Sequence, residues 1–288
     1  MKALDARATS TAWRERMLAG VPVSERRLEV DGVQTSLLEG GEGAPLVLLH
    51  GGIECGGVMW APVLADLTRN YRVIVPDVPG LGESAPRRLD VDTFSRWLQA
   101  LFVGLHLERP AVVAHSLVGS LTARAAIEHG QLMDKLLIYA APAVGPFRLP
   151  IGLRYVAIRF ALRPSAANAE RFERFALLDL DSTRRRDATW FAAFSEYTRS
   201  RAADTVVKRT MRQLISTETK RIDDRDLARL AIPISMVWGR HDRMAPVSVA
   251  EHAARTHGWP LEIVDHAAHA PHVEQPEAFV EALDRLGY

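Results

Sequence analysis

Five continuous apolar runs constrain what this 288-residue chain can fold into: PLVLLH (45–50), YRVIVPD (71–77), PAVVAHS (110–116), KLLIYA (135–140) and IPISMVWG (232–239). A strand that is apolar without alternation needs cover on both faces, so a sheet of such strands requires helices above and below it. Helical patterns fall between and after the runs, at Val58 to Thr68, Val91 to Leu105, Leu117 to His129 and Val247 to His257. This alternation from about residue 45 onward predicts crossover units in a mostly parallel central sheet flanked by helices, an α/β fold. Two more strands, ERRLEV (25–30) and VQTSLLE (33–39), precede the alternation and are joined at Asp31-Gly32, a tight-turn pair. Residues 1–24 read as an N-terminal arm. It holds an amphipathic helix from Leu4 to Leu18 that offers Leu4, Trp13, Met17 and Leu18 for packing and ends at Gly20 and Pro22.

After Tyr139 the alternation stops for roughly 90 residues. A structureless loop of that length does not suit a compact domain. Helical patterns fill the gap at Leu149 to Leu162, Ala169 to Leu178, Arg184 to Arg199, Ala202 to Ile215 and Asp224 to Leu230, with Asn168 and Asp223 as expected caps. The expected organisation is an arm (1–24), a first core part (25–145), an inserted helical lid (146–230) and a second core part (231–288). Within the lid, Trp190, Phe191, Phe194 and Tyr197 place rings on neighbouring turns. These rings can close the lid onto the core, line a substrate cavity, or do both.

The run PAVVAHS ends at Ser116, where a helical pattern begins at once. That geometry presents a hydroxyl above the carboxyl ends of the strands, next to the unpaired N–H groups of a helix start. A serine there can also be a simple helix cap. A nucleophilic serine needs a base within hydrogen-bond reach, and a carboxylate to orient that base. His269, in the loop AAHAPH after LEIVD (261–265), is the candidate base, with His266 and His272 as neighbours. Asp242, in GRHDRMAP just beyond IPISMVWG, is the candidate acid on the same edge of the sheet.

Four motifs in this order carry a resemblance: His50-Gly51-Gly52, Asp77-Val78-Pro79-Gly80-Leu81-Gly82-Glu83-Ser84, the serine turn, and the pair Gly239-Arg240-His241-Asp242 with His269-Ala270-Pro271-His272-Val273-Glu274-Gln275-Pro276. From about Arg26 to Leu286 the chain resembles the α/β-hydrolases of the lidded esterase, proline-iminopeptidase and carbon–carbon-bond hydrolase type. The resemblance implies the α/β-hydrolase fold, a catalytic triad of Ser116, Asp242 and His269, and an oxyanion hole from the backbone N–H groups of Gly52 and Leu117. Substrate contacts are expected from Ile53, His115, Val118, Trp190, Phe191, Phe194 and Tyr197. The serine turn departs from the family's Gly-x-Ser-x-Gly: it reads Ala114-His115-Ser116-Leu117-Val118, with Gly119 one position later.

The implied activity is hydrolysis of a small or medium apolar carbonyl compound, a carboxylic ester or lactone, through an acyl-enzyme. Carbon–carbon-bond hydrolysis, a cyclase or lyase reaction on the same scaffold, and noncatalytic ligand binding are the alternatives. No cofactor is expected. HGGIECGG lacks the Lys-Ser/Thr of a nucleotide loop, and Pro271 interrupts any helix that would align His266, His269 and His272 on a metal. Lys and Arg number 36 against 35 Asp and Glu, a balance that supplies no strong field for nucleic acid. The single Cys55 excludes an intrachain disulfide and favours a reducing, cytoplasmic setting; no apolar run reaches bilayer-spanning length, and homodimerisation is left open.

Overall fold

The computed structural model describes residues 11–288. Leu4, the first packing residue expected of the arm, lies outside them. Residues 11–17 form a helix, α1, which buries Arg14 and Met17 and ends three residues before Gly20. Eight strands follow: β1 (Ser24–Val30), β2 (Val33–Gly40), β3 (Ala44–Leu49), β4 (Tyr71–Pro76), β5 (Ala111–His115), β6 (Lys135–Tyr139), β7 (Ile234–Gly239) and β8 (Leu261–Val264). They make one sheet in the order β1-β2-β4-β3-β5-β6-β7-β8. The pairs β1–β2 and β2–β4 are antiparallel and all others parallel. Asp31 and Gly32 close the first hairpin, both with positive φ.

The helices are α2 (Ala61–Leu67), α3 (Val91–Gly104), α4 (Ser116–His129), α5 (Ile151–Leu162), α6 (Ala166–Ala176), α7 (Leu180–Arg186), α8 (Ala188–Ala202), α9 (Thr205–Glu218), α10 (Asp224–Leu227), α11 (Ser248–His257), α12 (Pro271–Glu274) and α13 (Pro276–Arg285). The path β3-α2-β4 steps one way along the sheet and β4-α3-β5 steps back across β3. Right-handed crossovers in opposite directions put their helices on opposite faces. Accordingly α2 packs with α13, and α3 with α4. This double cover explains the unbroken apolar runs: Leu46–Leu49, Val73–Val75, Val112–Ala114, Leu136–Tyr139 and Met236–Trp238 are all buried. The reversal between β3 and β5 is the switch point where open α/β sheets form crevices at their carboxyl ends. Gly52 follows β3 and Ser116 follows β5, one on each side of it.

Helices α5 to α10 lie between β6 and β7 as one inserted block. Two details differ from the sequence expectation. The stretch expected as one helix from Arg184 to Arg199 is broken at Asp187, whose carboxylate accepts from the Trp190 N–H at 2.8 Å and starts α8 afresh. Asn168 is not a cap of α6; Ser165 is. The Asn168 amide is buried and donates to the carbonyls of Arg159 and Arg163, closing the open end of α5.

The arm is tied down by charge. Arg14 is buried, with Nη1 3.3 Å from Asp77 Oδ2 and 3.3 Å from the Tyr197 hydroxyl, and Nη2 3.1 Å from Glu25. Removing one partner of such a pair leaves the other charge buried and uncompensated. Arg14→Met is therefore expected to cost about 3 kcal/mol or more in urea unfolding; a change under about 1 kcal/mol would show that the arm does not hold Asp77.

Candidate active site

The sheet brings Ser116, Asp242 and His269 together at its carboxyl edge. The Ser116 Oγ donates to His269 Nε2 at 2.9 Å, and His269 Nδ1 donates to Asp242 Oδ2 at 2.8 Å. A carboxylate only accepts, so Nδ1 carries the imidazole proton and Nε2 is left to accept from the serine. The other Asp242 oxygen accepts the N–H groups of Met244 at 2.7 Å and Ala245 at 2.9 Å, which fixes the carboxylate plane. All three side chains are largely buried.

Ser116 has φ +55°, in the left-handed region that non-glycine residues avoid. Strain of this kind persists only where surroundings over-determine it. Here β5 runs straight into α4, and the displaced glycine is the reason the helix can sit so close: a Cβ on Gly119 would stand 2.7 Å from the Ala114 carbonyl oxygen. Val118, where the family motif has glycine, is fully buried instead. The His50-Gly51-Gly52 loop lies against this turn. A Cβ on Gly51 would meet His115 Nδ1 at 2.6 Å, and one on Gly52 would meet Leu117 Cδ1 at 2.7 Å. The two stretches expected to form an oxyanion hole are thus adjacent.

The His269 loop is held through its backbone. Its carbonyl accepts from His115 Nε2 at 3.0 Å and from the Tyr139 hydroxyl at 3.3 Å, while its N–H donates to Ala176 O at 3.0 Å. The buried Glu274 carboxylate accepts from the N–H groups of Leu178, Ala268 and Ala270. Burial raises the Glu274 pKa, and these N–H groups only partly offset it. His272 does not join His269. Its ring packs on Trp60 with centroids 4.4 Å apart and its Nδ1 lies 2.9 Å from the Tyr139 hydroxyl, while His266 is exposed. Burial, aided by His269, holds the His115 pKa well below its ordinary value and brings that of His272 to about 3, so both are neutral.

Asp77 is the functional support that sequence reasoning treated only as part of a motif. Its carboxylate accepts from Gly57 N–H at 2.6 Å and Glu83 N–H at 2.9 Å, beside Arg14. His50 Nε2 accepts from Val78 N–H at 2.9 Å, and burial keeps that imidazole neutral too. The signal for Asp77 was its place in a turn rich in glycine; nothing marked Arg14, 63 residues away. Of the expected substrate contacts, Ile53 is half-buried beside Gly52, and Trp190 and Phe194 stack with centroids 4.9 Å apart. Phe191 is buried under the Arg184 guanidinium. The Tyr197 hydroxyl is occupied by Glu83 at 2.7 Å and Arg14.

A model of the alpha/beta hydrolase family matches residues 46–282. The chain is 26% identical over 272 residues to 2-hydroxy-6-oxo-6-(2'-aminophenyl)hexa-2,4-dienoic acid hydrolase of Metapseudomonas resinovorans, spanning 90% of this chain and 89% of that one. It is 25% identical over 266 residues to the pimeloyl-[acyl-carrier protein] methyl ester esterase of Aeromonas hydrophila, spanning 85% and 96%. The solved naproxen esterase (carboxylesterase NP) from Bacillus subtilis shares the fold, with a TM-score of 0.81 at 19% identity over 99% of both chains.

Glu54, two residues beyond Gly52, carries a carboxyl whose pKa burial pushes up to about 7. An acid whose folded pKa exceeds its unfolded value binds more protons when folded, so its contribution to stability falls as pH rises through that interval. Glu54→Gln cannot ionise. Its melting temperature is expected to gain on the parent between about pH 5 and about pH 8; a constant difference across that range would show that Glu54 ionises as freely in the folded chain as in the unfolded one.

Proposed function

Because the chain belongs to the alpha/beta hydrolase family, we propose that it is a serine hydrolase acting on a small or medium apolar carbonyl compound, a carboxylic ester or lactone. The observation that carries this reading is the hydrogen-bonded series from Ser116 through His269 to Asp242, set on a serine with φ +55°. His269 Nε2 takes the Ser116 proton as Oγ attacks the carbonyl carbon. The oxygen that becomes negative turns toward the backbone N–H groups of Gly52 and Leu117, whose stabilisation grows with the charge. His269 then gives its proton to the departing alkoxide, leaving an acyl-enzyme. A water molecule loses a proton to the same nitrogen and attacks the acyl carbon; the bond to Oγ breaks, the nitrogen returns the proton to Ser116, and the acid leaves. Asp242 keeps Nδ1 protonated and stabilises the imidazolium in both halves.

Residues 146–230 serve in this reading as the lid that selects the acyl or aromatic group, with Ile53, Trp190, Phe191 and Phe194 as its apolar contacts. His115 and Tyr197 also hold the turn and the lid in this reading, because their polar atoms bond within the protein, and Val118 packs with no exposed surface beside the serine turn. The lone buried Cys55 supports a cytoplasmic setting. Carbon–carbon-bond hydrolysis is the second reading, favoured by the relative named for a dienoic acid hydrolase, which is as similar as the esterase.

Ser116→Ala and His269→Ala are each expected to lower kcat for an activated ester by about 10³-fold or more with the fold retained, and Asp242→Asn to be severe through the wrong tautomer. Intact-mass measurement should show an acyl adduct on the parent and none on Ser116→Ala. Rates within about tenfold of the parent in both alanine variants would overturn the assignment. Turnover of a vinylogous diketone without any adduct, with esters inert, would move the reading to carbon–carbon cleavage.

A further inference from the structure

Helix α5 turns an apolar stripe to solvent. Ile151, Tyr155, Ile158 and Leu162 are 84%, 56%, 55% and 79% exposed, and they account for four of the seven large hydrophobic side chains exposed among the described residues. Their spacings of four, three and four put them on one line along the helix. The opposite line, Leu153 and Phe160, is buried. On that inner side Phe160 stacks on Phe172 and clusters with Ala169 and Ala202, apart from the main core.

The stripe is edged by positive charge. Arg154 flanks one side and Arg159 the other, with exposed Arg148 and Arg163 beyond the two ends. No Asp or Glu occurs between Asp134 and Glu170, and residues 146–230 hold 18 Lys and Arg against 11 Asp and Glu in a chain whose net charge is +1. An exposed apolar line with arginines on both flanks matches a surface whose outer layer is anionic and whose next layer is hydrocarbon. A second copy of this chain fits worse. A two-fold contact through α5 would set arginine against arginine with no acid on either helix to pair them. Twelve residues are also too few to cross a bilayer, so the helix would lie in its plane.

We infer that the outer face of α5 docks the protein on an anionic phospholipid membrane. The test is co-sedimentation of the full chain with vesicles of phosphatidylcholine containing about one third phosphatidylglycerol, against phosphatidylcholine alone. The parent should bind the anionic vesicles, bind the neutral ones weakly, and lose binding as salt is raised. Ile158→Asp with Leu162→Asp should lower the bound fraction about fivefold or more, and Arg154→Gln with Arg163→Gln should abolish the preference for anionic lipid. Melting and turnover of a small soluble ester report whether each variant folds; Ile158→Ser with Leu162→Ser replaces the aspartate pair if that pair does not. Ser116→Ala should bind as the parent does, so failure of this inference is separate from failure of the hydrolase reading. Absence of parent binding to anionic vesicles, or equal binding by folded stripe variants, would overturn it. A parent dimer in light scattering that the stripe variants convert to monomer, without vesicle binding, would assign the face to a second copy.

Discussion

A single buried carboxylate, Asp77, holds together parts of the chain that are far apart in sequence. It follows β4, accepts from the N–H of Gly57 in the loop after β3 and of Glu83 in its own loop, and sits against the Arg14 guanidinium of the arm. Arg14 and Glu83 both reach the Tyr197 hydroxyl of α8. The arm, the glycine loop beside Ser116, the turn after β4 and the inserted helices therefore share one electrostatic knot. A buried ion pair earns little net stability over an apolar replacement, but it is unforgiving of partial loss. That asymmetry makes it a device for fixing a single arrangement.

Around the serine the protein uses neutral polar groups instead. His50, His115 and His272 are kept uncharged by burial, and the His115 ring, its centroid 4.9 Å from that of His269, does not compete for the proton of that imidazole. Two donors, His115 and Tyr139, converge on one carbonyl, that of His269. The backbone of His269 is thus anchored by uncharged donors, while its ring is held by the Asp242 carboxylate. Under the proposed reading, a full positive charge on His115 would oppose the imidazolium that acyl transfer requires of the neighbouring ring.

The α/β architecture was legible because the strands are short, apolar throughout and separated by helical periods, a pattern few other folds accommodate. The meeting of Ser116, Asp242 and His269 was legible for a related reason: each lies within five residues of the end of a strand, and parallel strands deliver their ends to one edge. Helix boundaries within the insert were harder. Asp187 breaks a continuous helical pattern by capping, and Asn168 looked like a cap while serving the end of the neighbouring helix; both depend on which backbone groups lie nearby in space. Arg14 was beyond reach because an arginine in a short amphipathic helix reads as surface, and only the assembled fold supplies the carboxylate that lets it be buried. The displaced Gly119 was visible as a departure, but its meaning came from the distance to the Ala114 carbonyl.

The N–H of His269 donates to the carbonyl of Ala176 at the end of α6, and Leu178 just beyond it donates to Glu274 beneath the same loop. The inserted helices and the loop that carries His269 are therefore tied together by direct hydrogen bonds. Displacing this part of the insert from the core would break the backbone hydrogen bond of the residue whose Nε2 accepts from Ser116 Oγ. Under the proposed reading, the seating of the insert and the placement of the base are therefore set by the same hydrogen bonds.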